Sequence, residues 1–173
     1  MHKSFYYLWS SISFGKLALS LYTMTITLTI FSITKSATFA SVIMLTHVIG
    51  KLLSSFVFPL VTENKPLKNI LTVSLLTQFI IISALLGALN INVNQVIQLT
   101  LTYALIGLAG FMDGFVSPSR MSLVPEVAEE AKIGKANSLI STADQTFALL
   151  GWSLGPIAVN FYGGMLKAFI PLN

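Results

Sequence analysis

Four charged side chains lie inside stretches that are otherwise apolar: Lys16, Lys51, Asp113 and Asp144. Each costs about 2.5–3.5 kcal/mol or more when it faces hydrocarbon near the middle of a bilayer. Two lysines and two aspartates at overlapping depths relieve that cost by pairing, with Lys16 or Lys51 on Asp144, or by lining one water-filled cavity. The competing arrangements are lysines that reach back to the headgroups and aspartates hydrogen-bonded locally at helix ends.

Other polar residues fall at helical spacing. Ser13, Lys16, Ser20, Thr23 and Thr27 form one stripe, in which hydroxyls either line an aqueous path or bond back to their own helix carbonyls. Asn137, Ser141, Asp144, Ala148, Gly151 and Gly155 form another, polar in its first half and small in its second. Small residues let helix backbones approach closely, and Pro156 adds a bend. His47 is a lone intramembrane histidine, read as packed and hydrogen-bonded. His2 is terminal, so no pair of histidines can hold a metal. No phosphate-binding glycine loop and no oriented Ser/His/Asp set is present. The chain is not expected to be an enzyme or to carry a cofactor.

The elements that position these residues follow from composition. Of 173 residues, 54% are hydrophobic and 9% charged, far below the roughly 25% charged of a soluble domain. The expected solvent is lipid, and the fold class is an all-α membrane protein. Five apolar stretches near the required length of about 20 residues cover about 6–31, 37–61, 70–89, 96–116 and 136–162, followed by a short tail, 163–173. They are read as one transmembrane domain over 1–173. Residues 32–36 turn the chain after the first stretch, and a charged amphipathic loop joins the fourth to the fifth. Lysine and arginine collect on one side, at Lys3, Lys65, Lys68, Arg120, Lys132 and Lys135, while the loops between spans on the other side hold only Lys35. That bias puts the N-terminus in the cytoplasm of a multi-pass cell-membrane protein. The net charge of +4 comes from scattered residues, so nucleic acid is not expected as a partner. With no cysteine, there is no thiol chemistry.

The chain resembles the first five helices of a major facilitator superfamily transporter, most closely the macrolide and multidrug efflux-like branch. The residues that carry the resemblance run from Leu8-Trp9 and Ser13-Phe14-Gly15 to the fifth stretch. Ser117-Pro118-Ser119-Arg120, Leu123-Val124-Pro125-Glu126 and Lys135-Ala136-Asn137-Ser138-Leu139 are similar to the branch's inner loop and fifth-helix entry. Gly151-x-x-x-Gly155-Pro156 looks like the core of the antiporter motif. Lys16 departs from the acidic or small polar residue usual after the first-helix glycine, and Val159-Asn160 from the usual glycine pair. In the signature loop after the second helix, Glu63 stands at the aspartate, Asn64 at the arginine and Pro59 at the glycine. No membrane arginine lies between Tyr103 and Gly114.

The resemblance implies efflux of small hydrophobic or drug-like molecules, coupled to protons, by a protein of two six-helix halves of which this chain supplies an incomplete first half. It implies a substrate cavity reached by Ser20, Thr23, Thr27, Asp113 and Asp144. It places gating at Glu63, Lys68, Arg120 and the Gly151/Gly155/Pro156 bend. The alternative is a non-transporting membrane interaction protein, or inactive fragment, that assembles with another half or copy through the fifth-helix stripe.

Overall fold

Lipid offers the backbone no hydrogen-bond partners, so a spanning stretch must satisfy its own amides, as a helix does. The computed structural model is built in that way from five helices among the described residues, 3–63, 65–89, 94–128 and 132–169. They are α1 (Lys3–Thr34), α2 (Ala37–Thr62), α3 (Leu67–Leu89), α4 (Gln95–Val127) and α5 (Ile133–Phe169). The first four are long and apolar enough to cross a membrane. The fifth, also expected to span, does not reach that hydropathy, because Asp144, Gln145 and Asn160 interrupt it. Large apolar side chains such as Phe56, Leu60, Phe79 and Leu149 are exposed, the surface a lipid solvent accepts.

Three boundaries differ from the sequence reading. Helix α4 runs on through Ser117, Pro118, Arg120 and Pro125, where a loop was expected. Val116, Ser119 and Val124 fall on one buried helical face there, and that periodic burial outweighs the single hydrogen bond each proline removes. Helix α5 continues to Phe169, so most of the expected tail is helical. The turn after α1 shrinks to Lys35 and Ser36: Lys35 takes the left-handed conformation, φ 52°. Its amide donates to the Phe31 carbonyl at 2.8 Å, which closes α1 as a left-handed residue past a helix end does.

The chain divides into two compact units, Met1–Ala40 with Val124–Asn173, and Ser41–Leu123. In the first unit α1 and α5 pack in parallel register. The Trp9 indole N–H donates to the Leu139 carbonyl at 3.2 Å, the Phe14 ring packs on Phe147, Ser20 meets Gly151 and Met24 meets Gly155. Phe5, Ile12, Val124, Ala128, Ala136 and Ile140 form its buried core. In the second unit α2 and α4 also run parallel and come closer still, with Gly110 against the His47 backbone and Gly50 against the Gly107 carbonyl.

A methyl group on Gly110 or Gly50 would meet backbone, which cannot step aside, whereas at Gly87 nothing lies within 4 Å. Gly110→Ala is therefore expected to lower stability by about 1–3 kcal/mol or more. Gly87→Ala should leave stability unchanged or raise it by up to about 1 kcal/mol. Thermal unfolding of the detergent-solubilised variants, read by fluorescence, checks both; equal melting of the two would refute the packing argument.

Candidate functional site

On α2, Gly50, Lys51 and Ser54 occupy one turn; on α4, Gly107, Gly110, Asp113 and Gly114 recur at three- and four-residue intervals. The bare glycine backbones let the two helices meet, and the meeting carries Lys51 to Asp113. The lysine Nζ stands 2.9 Å from the Asp113 Oδ2, a charge-assisted hydrogen bond. Lys51 lies about eleven residues before Thr62, or about 16 Å at about 1.5 Å per residue. The pair is thus far from either end of its helix. Ser54, beside Gly114, donates its hydroxyl to the Lys51 carbonyl at 2.7 Å. No group of acidic, cysteine or histidine side chains suited to a metal occurs among the described residues.

The expected pairing on Asp144 is corrected here. The partner of Lys51 is Asp113, and Lys16 and Asp144, both half-buried, make no ion pair with each other. The register of the first unit explains part of this. Leu139 stands beside Trp9 and Gly151 beside Ser20, so Asp144 is level with about Ser13, about one turn short of Lys16. The α5 turn facing Lys16 presents Phe147, already packed on Phe14.

The hydroxyl stripe of α1 bonds largely to its own helix. Ser13 donates to the Trp9 carbonyl at 2.8 Å, Thr23 to Leu19 and Thr27 to Thr23 at 2.7 Å, while Ser20 is buried against Gly151. The α5 stripe divides. Gly151 and Gly155 are buried against α1, while Asn137 and Ser141 remain exposed. Packed helices cross at an angle, so the contact seam leaves the stripe part-way along. The glycines once expected to meet another half or copy are therefore already occupied within this chain.

Of the expected gate residues, Glu63 is exposed just beyond α2, Lys68 is exposed in the first turn of α3, and Arg120 is half-buried inside α4 rather than in a loop. Pro156 lies within α5. Asn64 lies outside the described residues. The glycines of α2 and α4 were not singled out from sequence, although Gly107-x-x-Gly110-x-x-x-Gly114 is a small-residue stripe of the kind that marks helix contacts.

Along 164 residues, 94% of the chain, the sequence is 34% identical to an uncharacterized MFS-type transporter, YfmI, of Bacillus subtilis (strain 168). The resemblance to the major facilitator superfamily read from the motifs points the same way as this similarity. Four of the chain's helices are long and apolar enough to cross a membrane, as expected of a multi-pass membrane protein. The chain spans 40% of the length of that relative. No family model matches the chain, and no solved structure does.

A lone charge left in the α2–α4 contact forfeits its partner. Lys51→Met or Asp113→Leu alone is expected to destabilise by about 2.5–3.5 kcal/mol. The double variant should fall within about 1 kcal/mol of the parent, and exchanging the two residues should restore most of the loss. Stability measured in detergent across this cycle checks the pair; purely additive single effects would dissolve it.

Proposed function

We propose that the chain carries the leading helices of a major facilitator superfamily transporter that exports small hydrophobic or drug-like molecules in exchange for protons across the cell membrane, with its N-terminus in the cytoplasm. The observation that carries the reading is the similarity to an MFS-type transporter along 94% of the chain. The resemblance of Gly151-x-x-x-Gly155-Pro156 to the antiporter motif and the placement of ionisable groups within apolar helices support it. In this reading Asp144, half-buried in α5, takes and gives the coupling proton. The Lys51–Asp113 pair joins α2 to α4, and Thr23 and Thr27 keep the α1 side of the substrate cavity polar. Glu63, Lys68 and Arg120 gate the inner side, and the Gly151/Gly155/Pro156 segment lets α5 bend. Substrate shifts the balance between two rocking states, and the proton gradient resets them.

The test is accumulation of a fluorescent hydrophobic dye in cells expressing the chain. Expression should lower accumulation, a protonophore should abolish the difference, and Asp144→Asn should reduce export at least about tenfold, as loss of a proton-transfer group does. Accumulation unchanged by expression, together with a stable crosslinked oligomer, would replace this reading with a non-transporting protein that assembles with a second half or another copy.

A further inference from the structure

The Lys51–Asp113 pair is unevenly buried. The lysine side chain keeps 43% of its surface exposed and the aspartate 13%. Beside the pair a cavity of about 470 Å³ opens between α2 and α4, lined by Lys51 together with Leu52, Phe58, Pro118 and Met121 among others. That volume is within the ~300–1,000 Å³ of small-molecule sites, which combine apolar walls with a few placed polar groups. Asp113 is not part of the lining. A molecule entering the cavity therefore meets mostly hydrocarbon walls, the hydroxyls of Ser55 and Ser117 and one ammonium group, with the balancing carboxylate withdrawn behind it.

That arrangement selects by charge and by depth. An anionic head fits the ammonium, and an apolar body fits Leu52, Phe58 and Met121. Lys51 lies about 16 Å along α2 from Thr62, near the depth of a bilayer midplane, since the hydrocarbon is about 30 Å thick. A phospholipid anchored by its headgroup at the interface does not reach it. A single-chain acid that enters hydrocarbon in its neutral form does.

We propose that this cavity binds an amphiphilic carboxylic acid, with its carboxylate on Lys51 and its proton held by Asp113. The exchange balances. Before binding, the pair is one ammonium and one carboxylate, and the ligand is a neutral acid. Afterwards the ligand's carboxylate sits on the ammonium and the acid's proton sits on Asp113. In water near neutral pH the free ligand is ionised, so binding from water takes up one proton. Within the unit, the other titratable groups are His47, one turn before Lys51 on α2, Tyr103 and Arg120 on α4, Glu63 and Lys65 in the connecting turn, and Lys68 at the start of α3. Of these, His47 is the nearest in sequence to Lys51 and is the control. The site goes beyond the transport reading, because occupancy is measured without any flux.

The full chain in detergent is labelled with a twelve-carbon fatty acid bearing a photoreactive diazirine, and with the matched alcohol, and the crosslinks are mapped by mass spectrometry. The acid should label Leu52 or Met121 at saturable concentration, and the alcohol at least about tenfold less, the difference one charge-assisted contact makes. Lys51→Arg should retain labelling. The Lys51→Gln/Asp113→Asn double variant, which leaves no uncompensated charge to threaten folding, should lose it. In weakly buffered solution, binding of laurate should take up about one proton per chain, as a single titrating carboxylate requires. Asp113→Asn should bind laurate more tightly with no proton uptake, and His47→Gln should leave the uptake in place. Equal labelling by acid and alcohol, labelling that survives in the double variant, or weaker binding in Asp113→Asn would each overturn the proposal.

Discussion

The close approach of α2 to α4 is the constraint on which the rest of the candidate site depends. Gly50, Gly110 and Gly114 remove the side chains that would hold the helices apart. At that separation the Lys51 and Asp113 heads stand 2.9 Å apart. The two effects reinforce each other. Close packing supplies dispersion between helices that gain nothing from a hydrophobic effect in lipid. The ion pair then removes the one feature that would make this contact unfavourable in hydrocarbon. Neither is sufficient alone, since a glycine seam carrying an unpaired lysine would be pulled towards water.

The first unit solves the same problem with different side chains. Its α1–α5 contact places Gly151 on Ser20 and Gly155 on Met24, with Cβ approaches near 2.5 Å if either glycine carried a methyl. Its core is apolar and aromatic rather than charged, built round Phe5, Ile12 and Ile140. Its intramembrane charges, Lys16 and Asp144, stay about a turn apart and make no ion pair with each other. One unit holds an ion pair between its helices, and the other holds a half-buried carboxylate, to which the proposed transport reading assigns the coupling proton. That division is what the transport reading draws on.

Hydroxyl groups show why spacing alone underdetermines function. Ser13, Thr23 and Thr27 occupy a helical stripe that suits an aqueous path equally well. In the folded chain each donates to the carbonyl of its own helix four residues back. A hydroxyl bonded in this way is compatible with lipid and needs no water. The stripe therefore has a local reason to exist.

Composition and apolar run length were enough to determine a helical membrane protein and the approximate positions of its five helices, because lipid leaves the backbone no alternative to internal hydrogen bonding. The motif residues from Ser117 to Pro156 pointed to the transporter kinship that the Bacillus subtilis relative supports. Intramembrane charges were equally visible, since four of them interrupt otherwise apolar runs. What only tertiary structure decided was which of them pair and which small residues meet. Lys51 had two aspartates to choose between by depth alone, and the glycine approach of α2 to α4 selected Asp113. The Gly151/Gly155 stripe had several possible partners, and parallel packing gave it to α1. The continuation of α4 through Pro118 and Pro125 was likewise hidden. Proline and charge are local signals for a loop, and the burial of Val116, Ser119 and Val124 that overrides them exists only once the helices are packed.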